Sequence, residues 1–425
     1  MSSMLDCLSQ REVWEKFFVY KTSLIASVDE TKMLRAFIDS ESYLPVCKGI
    51  LTGTPFPLPR RSVISKQGTQ KKRIVYTYPY NENMVLKLLT YLLLREYDGI
   101  FCNNLYSFRP GKCAKTAIHS LEKIPCLSAK YSYKVDISNY FNSIPVDLFL
   151  PELGAVTQKD PSLSTFLSSL LSEPYVINTK HDERIISDEF HNKCPITYVP
   201  QNECLILDEH KGIMAGTPLA SFYANLYLRD LDQFFQNQGI PYARYSDDII
   251  VFGDSMQEVE KYAEIIRSHL AKKRLSVNPS KEEFRTPEEG FVFLGFFIQG
   301  DQIDIAPASI TKLKQKMRRK ARALQRWQKR NHLTGEKSAK AFIRIFNRKL
   351  LEKSKDNDLT WSYWYFSVIN KVEGLHVIDL YAQDCIRYLL TGTHTKSRYN
   401  ARYEDLKSLG YQSLVHAYHD FSKHK

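Results

Sequence analysis

The stretch IPYARYSDDIIVFG, residues 240–253, carries two short apolar segments on either side of Ser246, Asp247 and Asp248. Two apolar runs separated by a few polar turn residues are typical of a β-hairpin. Successive side chains of a strand point to opposite faces, so adjacent aspartates can serve one site only when they lie at a turn. The pattern therefore predicts a hairpin with two carboxylates at its tip.

A third aspartate lies upstream, at the end of a segment in which apolar and polar residues alternate. Tyr131, Tyr133, Val135 and Ile137 alternate with Ser132, Lys134 and Asp136, which predicts a half-buried strand with Asp136 on its polar face. If the hairpin lies beside this strand, three carboxylates meet, and their repulsion makes divalent metal binding the natural interpretation. An isolated Asp-Asp turn is more often a solvated loop, but the flanking strands and Asp136 weaken that alternative.

Composition limits the classes of protein to which the chain can belong. It has 425 residues, a length that suits two or three subdomains. Of these residues 43% are hydrophobic and 25% charged, which is typical of a globular protein. We expect no membrane span and no signal peptide, because no 18-residue apolar run occurs and the first residues include an early acid. Eight scattered cysteines without a CxxC pair predict free thiols and a cytoplasmic protein. The irregular spacing of His181, His191 and His210 does not favour zinc.

Positive charge is concentrated at the end of the chain. Residues 305–425 contain 25 Lys or Arg and 10 Asp or Glu, a net charge of +15, whereas the first 304 residues carry a net charge of −3. This asymmetry, with interleaved aromatic residues, predicts a polyanion-binding module, and the alternative is a solubilising surface. Within it, Thr311–Arg330 is predicted as a helix with Leu313, Met317, Leu324 and Trp327 on one side.

Periodicity predicts the other elements. We expect mainly helices over residues 1–50, a helix at Met84–Tyr97, and a capped helix from Met256 with Ser255 and Glu258 forming the cap. We also expect one helix at Leu219–Phe235 and one strand at Phe291–Ile298.

Six segments, taken together, resemble the ordered sequence boxes of reverse transcriptases of the group II intron and retron branch. The hairpin contributes YSDD, which resembles their YxDD box, and the boxes appear in family order across Arg73–Phe296. The others are SFRPGKCAKTAI (107–118), KVDISNYFNSI (134–144), GIMAGTPLASFYANLYL (212–228), LSVNPSKEEF (275–284) and FLGF (293–296). Upstream of them, KKRIVYTYPY (71–80) is predicted as a strand that ends at Pro79.

The resemblance implies an α+β right-hand polymerase with an antiparallel palm sheet and a basic helical thumb. It divides the chain into an N-terminal helical segment with fingers (1–128), a palm (129–304) with an insertion at 151–210, and a thumb or RNA-binding domain (305–425). The implied activity is RNA-directed DNA polymerisation with two Mg²⁺, for which Mn²⁺ can substitute. The implied partners are a noncoding RNA template, a DNA primer or product, and dNTPs.

The resemblance also assigns site residues. Asp136, Asp247 and Asp248 would ligate metal with the Ile137 carbonyl, and Lys281 would protonate pyrophosphate. Phe141 would be a steric gate against the ribose 2′-hydroxyl, with core packing as the alternative. Lys72, Arg73, Arg109 and Gly216 would contact the incoming nucleotide, and Tyr245, Phe293, Leu294 and Gly295 the primer and template. Lys72 and Lys281 could also be ordinary surface lysines.

Two features refine this picture. Ala215 stands where the family usually has a nucleotide-contacting Gln, which gives some support to an untemplated or protein-primed DNA polymerase.

The segment Glu373–Tyr418 resembles the ends of stand-alone bacterial reverse transcriptases linked to antiphage defence. A non-catalytic RNA-binding, maturase-like protein is the second alternative. The residues expected to bind RNA are Arg318, Arg319, Lys320, Lys396, Arg398, Tyr399, Arg402 and Tyr403.

Overall fold

The computed structural model describes residues 3–24, 28–65, 72–181, 200–352, 361–395 and 397–423. It divides into two compact units, which are described separately. The first comprises Met1–Thr22, Ala26–Ala117 and Lys130–Phe284, and the second comprises Ser23–Ile25, Ile118–Ala129 and Arg285–Lys425. The predicted limits of fingers, palm and thumb stay predictions.

Helices make up most of the described chain. In chain order they are α1 (Arg11–Ser23), α2 (Val28–Asp39), α3 (Leu44–Leu51), α4 (Tyr80–Glu96), α5 (Ala114–Leu121), α6 (Tyr140–Ser143), α7 (Val146–Thr157), α8 (Pro161–Ser172), α9 (Ala220–Tyr227), α10 (Arg229–Asn237), α11 (Met256–Lys272), α12 (Pro307–Arg330), α13 (Gly335–Leu350), α14 (Trp361–Phe366), α15 (Glu373–Thr391), α16 (Ser397–Asn400), α17 (Tyr403–Ser408) and α18 (Leu414–Lys423). Short 3₁₀ helices lie at Asp6–Ser9, Asp98–Ile100, Leu127–Ala129 and Pro279–Lys281. None of the helices within the described ranges is long and apolar enough to cross a membrane.

The strands are β1 (Arg60–Ser65), β2 (Lys72–Thr77), β3 (Tyr131–Asp136), β4 (Tyr175–His181), β5 (Pro200–Leu207), β6 (Tyr242–Tyr245), β7 (Asp248–Gly253), β8 (Glu283–Arg285), β9 (Phe291–Phe293), β10 (Phe296–Gln299) and β11 (Gln302–Ile305). They form three sheets, with the orders β2-β1-β4-β5, β6-β7-β3-β8 and β11-β10-β9. The predicted α+β class is confirmed.

The sheet β6-β7-β3-β8 joins the predicted hairpin to the predicted Asp136 strand. Strand β7 pairs antiparallel with both β6 and β3, and α11 packs against β3 and β7. Strand β3 lies between β7 and β8. Ser132 and Asp136 are both buried, whereas the alternation of the sequence predicts that they lie on an exposed polar face. Helix α11 begins with the predicted Ser255 cap, whose side chain accepts a hydrogen bond from Glu258 N. The other half of the capping box differs, because the Glu258 side chain accepts from Asp254 N.

Three expectations about helices and strands need correction. The helix predicted from Leu219 to Phe235 is two helices, α9 and α10, which meet at Leu228. The strand predicted at Phe291–Ile298 is a hairpin of β9 and β10, because Leu294 and Gly295 both have positive φ (50° and 90°) and form a two-residue turn. Lys320, which the sequence predicts as an exposed RNA-binding residue on the polar face of α12, is only 6% exposed.

The burial of Lys320 follows from helical geometry. It lies three residues after Met317 and four before Leu324, so it shares the face on which those two side chains are buried. This face of α12 packs against α13 and α15 within the second unit. The opposite side of α12 carries exposed cations, Arg318 and Arg319 among them.

Candidate active site

The three aspartates converge where β3 and the β6–β7 hairpin meet. Asp136 lies directly opposite Asp248 in the antiparallel pairing of β3 with β7, and Tyr245 lies opposite Asp248 across the hairpin. Directly opposed residues of antiparallel strands project from the same face, with Cβ atoms about 4.5–5.5 Å apart. Asp247 is tied to the same point, because its carbonyl accepts a hydrogen bond from Ile137 N at 3.1 Å.

Burial, together with a neighbouring carboxylate, raises the pKa of Asp247 and of Asp248. Burial is the main cause of a raised pKa at Asp247, and the neighbouring Asp136 adds to it. Burial followed by Asp247 raises the pKa of Asp248 to about 6. Both shifts show that the ionised carboxylates are unfavourable together unless a cation accompanies them.

Lys281 supplies one cation. Its ammonium donates a hydrogen bond to Asp136 Oδ2 from the 3₁₀ helix Pro279–Lys281. The preceding loop is fixed to the end of β3, because Asn278 N donates to Asp136 O at 2.8 Å and Ser138 N donates to Ser276 O at 2.9 Å. The Lys281 side chain is half exposed, so this ion pair is accessible to solvent.

A buried ion pair braces the aspartate turn from behind. Arg244 is 0% exposed and binds Asp232 with two bonds, Nε to Oδ1 at 2.8 Å and Nη2 to Oδ2 at 2.5 Å. The same guanidinium donates to the carbonyls of Ser246 (3.3 Å) and Asn225 (3.1 Å). Burial alone would lower the pKa of Arg244, but Asp232 raises it above its ordinary value. Arg244 therefore stays charged and connects α10 to the turn.

A second set of hydrogen bonds holds the same turn. Ser246 has a positive φ of 62°, and its N–H donates to Ser107 Oγ at 2.9 Å. Ser107 Oγ donates to Asn225 Oδ1 at 3.0 Å, and Asn225 Nδ2 donates to Ser107 O at 2.8 Å. The backbone that presents Asp247 and Asp248 is thus fixed by side chains from two other segments.

Phe141 follows the Asp136 strand on α6 and is half-buried. Its carbonyl accepts a hydrogen bond from Ile213 N at 2.9 Å, and its ring lies edge-on to Phe108 with centroids 6.5 Å apart. Gly212 permits this packing: it has φ of 54°, and a Cβ there would lie 2.5 Å from Phe141 O.

The next residues join the loop before α9 to strand β2. Asn142 donates to Ile74 O at 3.1 Å and accepts from Ala215 N at 2.9 Å, and Ala215 O accepts from Tyr76 N at 2.8 Å. Gly216 follows with φ of 99°, and a Cβ there would lie 3.0 Å from Tyr76 O. This close approach requires glycine at position 216. The hydrogen bonds of Ala215 are made by its main-chain N and O, so they do not depend on which side chain stands at position 215.

The predicted phosphate-binding cations are placed differently from one another. Lys72 and Arg73 are exposed at the start of β2. Arg109 is buried, and its guanidinium donates to Asp98 Oδ1 at 2.7 Å and to the carbonyls of Cys102 and Leu105. In this structure Arg109 is bound to the protein interior and does not lie with the exposed cations.

The remaining predicted residues lie in the second unit. Phe293 is buried, and Leu294 and Gly295 form the β9–β10 turn, which Ala306 N ties to Gly295 O at 2.9 Å. Tyr399 is 79% exposed, and Arg398 lies 3.6 Å from Asp384. Arg402 is exposed, but Tyr403 packs edge-on against Tyr411. Lys396 lies outside the described residues.

Reasoning from the sequence missed the buried supports of the site: Ser107, Asn142, Asn225, Asp232 and Arg244. One signal was available, because Arg244 is a lone cation within the apolar run Ile240–Tyr245. A charge in such a run requires a buried partner. The identity of that partner depends on tertiary contacts.

The donor set fits a divalent cation. Among the described residues, no three His, Cys, Asp or Glu side chains stand ready to hold a metal ion, and Asp136 is paired with Lys281. Yet the three carboxylates lie close together: Asp136 is buried, and Asp247 and Asp248 are partly buried with a raised pKa. Clustered carboxylate oxygens are the ligands that Mg²⁺ prefers in proteins.

Comparison with known proteins identifies the class. Residues 64–298, more than half of the chain, match the family described as reverse transcriptase (RNA-dependent DNA polymerase), and the chain therefore belongs to that family. This membership agrees with the α+β architecture and with the right-hand fold predicted for it.

Among individual proteins, the chain is similar to the group II intron-encoded protein LtrA of Lactococcus lactis subsp. cremoris. The two are 23% identical over 211 residues, which cover 49% of this chain and 31% of that protein. The match therefore spans about a third of the length of this curated relative.

Solved structures of telomerases are also similar. Apo telomerase from Candida tropicalis has a TM-score of 0.43 at 14% identity, covering 83% of this chain and 68% of that one. Telomerase from Candida albicans in complex with a TWJ fragment of telomeric RNA has a TM-score of 0.38 at 10% identity, covering 86% and 66%.

Proposed function

We propose that this protein is an RNA-directed DNA polymerase that copies a bound noncoding RNA into DNA. The observation that carries the proposal is the convergence of Asp136, Asp247 and Asp248 at one edge of an antiparallel sheet. Buried supports fix the turn in place, which is typical of a site that must be held in one geometry. A non-catalytic RNA-binding protein would have no need for three mutually repelling carboxylates, one buried and two partly buried, at one turn.

The proposed cofactor is Mg²⁺, two ions, held by the three carboxylates with the Ile137 carbonyl; Mn²⁺ can substitute. Bound divalent cations would activate a primer 3′-hydroxyl and stabilise the leaving pyrophosphate. The carboxylates position this chemistry, and their repulsion explains why cation binding is favourable. Lys281, already hydrogen-bonded to Asp136, would donate a proton to the leaving pyrophosphate.

Other residues would bind the nucleotide and primer. Lys72 and Arg73 carry positive charge on the exposed start of β2, where they would meet a triphosphate. Gly216 would allow the main chain to approach the nucleotide, and Phe141 would exclude a ribose 2′-hydroxyl. Arg109 would then act from the interior by fixing the segment that carries Ser107. Tyr245 and the turn formed by Phe293, Leu294 and Gly295 would contact primer and template.

The second unit would hold the RNA. Helix α12 contains ten Lys or Arg and no acid. Those of its cations that are exposed are Lys312, Lys316, Arg318, Arg319, Arg322, Arg326, Lys329 and Arg330. Such a stripe suits phosphate contacts, and the exposed Tyr399 ring suits stacking on an unpaired base. Lys320 is excluded from this surface by its burial. Arg398 and Arg402, which are exposed, would also contact the RNA. Lys396, which lies outside the described residues, stays a prediction from the sequence.

The biological setting that we propose is antiphage defence, supported by the resemblance of Glu373–Tyr418 to defence-linked enzymes. Sequencing the nucleic acid that copurifies with the protein tests both parts of the proposal. We expect one dominant RNA together with DNA complementary to it. DNA without complementarity to any bound RNA would favour the untemplated alternative, and RNA without DNA would favour the non-catalytic one.

A further inference from the structure

Phe108 combines two unfavourable features in one residue. Its φ of 56° lies in the left-handed region, which bulky side chains rarely adopt. The residue is also 41% exposed, although it is large and apolar. A strained and exposed aromatic residue beside a candidate active site calls for a functional explanation.

The neighbouring residues fix the backbone of Phe108 in this conformation. Ser107 is buried and bonded to Asn225 and to Ser246 N in the aspartate turn. Arg109 is buried and bonded to Asp98. Because the residues on both sides are held inward, Phe108 is directed outward.

The ring of Phe108 contacts Phe141. The centroids lie 6.5 Å apart at an interplanar angle of 73°, an edge-to-face pair. Phe141 is half-buried, and its ring also lies edge-on to the buried Tyr140, with centroids 5.7 Å apart. Phe108 confines the same ring from a second, more exposed side.

We propose that Phe108 is a positioning residue that holds the Phe141 ring in place and thereby sets discrimination between deoxyribonucleotides and ribonucleotides. The inference rests on the proposed polymerase function and on Phe141 as the gate. A gate ring free to turn would leave room for a 2′-hydroxyl, whereas a ring held by an edge-on neighbour would not. The strain at Phe108 is the cost of placing that neighbour.

The test measures kcat/KM for dATP and for ATP on one primer and template. Phe108→Ala is expected to lower the ratio of dATP to ATP use roughly tenfold, as expected for two residues in contact. Phe108→Tyr keeps the ring and should keep the ratio. Phe234→Ala, which removes a 38% exposed phenylalanine from α10, serves as the matched control.

A double variant separates positioning from general damage. Phe141→Ala should lower the ratio by itself, and adding Phe108→Ala should lower it no further, because the ring that Phe108 holds is already gone. Phe108→Gly removes the same ring but accepts a positive φ, so its free energy of unfolding should fall less than that of Phe108→Ala while discrimination falls equally. An unchanged ratio in Phe108→Ala, or effects that simply add in the double variant, would overturn the proposal.

Failure of the polymerase function and failure of the Phe108 proposal give different results. A wild-type protein that incorporates no deoxynucleotide would overturn the polymerase function. The comparison would then be made by equilibrium dialysis of dATP and ATP with Mg²⁺. Equal preference in wild type and Phe108→Ala would overturn the Phe108 proposal there as well, and a roughly tenfold loss of preference would support it.

Discussion

Arg244 and Asp232 form a fully buried, two-bond ion pair directly behind the turn that presents Asp247 and Asp248. Arg244 also donates to Ser246 O, so the charge pair and the geometry of the turn are physically linked. Removing one charge would leave the other buried without compensation.

Asp232→Asn should therefore lower the free energy of unfolding by about 3–5 kcal/mol, because the Arg244 guanidinium would lose its counter-charge in the interior. Urea unfolding measures this loss. Glu15→Gln, which breaks the more exposed pair with Arg35, is the control and should cost far less, because solvent screens that pair. Equal losses in the two variants would show that the buried pair is not a special support.

Lys211 provides a pH-dependent test of the fold. Burial lowers its pKa to about 8, although Glu173 and Asp208 oppose the shift, and its ammonium donates to the carbonyls of Leu170 and Glu173. Because the folded protein releases this proton at a lower pH than the unfolded chain does, the free energy of unfolding should rise with pH from about 8 towards 10.5.

Lys211→Met removes that contribution. Urea unfolding measures how much the free energy of unfolding rises between pH 7.5 and 9.5. This rise should be smaller in the variant than in the wild type by about 2 kcal/mol. Lys48→Met, at an exposed position on α3, should follow the wild type. Parallel curves for wild type and Lys211→Met would contradict the expected shift.

The salt dependence of RNA binding tests the basic surface. Changing Arg318 and Arg319 to Glu should weaken binding and flatten the plot of log affinity against log salt by about 0.7 per lost phosphate contact. Both side chains are exposed, so folding should survive. The same charge change at Lys16 and Lys32, on α1 and α2, is the control and should alter the slope less. A slope unaffected by the α12 changes would place the RNA elsewhere.

Tyr399 should behave differently from the cations. Tyr399→Ala is expected to cost about 1–3 kcal/mol of RNA affinity with little change in slope, because stacking on a base releases no counterions. Tyr175→Ala, at another exposed tyrosine, provides the comparison. Unchanged affinity in Tyr399→Ala would leave this ring without a role in binding.

Local patterns predicted what depends on local sequence. The period of two in Tyr131–Ile137, the cap at Ser255 and the apolar hairpin around Asp247 and Asp248 all led to elements that the structure contains. Family membership then confirmed the class of protein that the ordered boxes predicted.

Residues whose environment is set by distant segments were not predictable in the same way. Arg109 resembles a phosphate-binding cation in its sequence box, yet its partners are Asp98 and two main-chain carbonyls. Lys320 has the sequence context of a surface lysine, yet the packing of α12 on α15 covers it. Leu294 adopts a positive φ although it is not glycine. The turn that it begins divides what looks in the sequence like one continuous strand.

The most direct measurement is primer extension on an RNA template with Mg²⁺ and dNTPs, by wild type and by Asp247→Ala with Asp248→Ala. We predict synthesis by the wild type and none by the double variant. RNA affinity should be unchanged, and stability no lower, because two mutually repelling carboxylates have been removed. Extension by a folded double variant would contradict the assignment of these aspartates as the centre of the site.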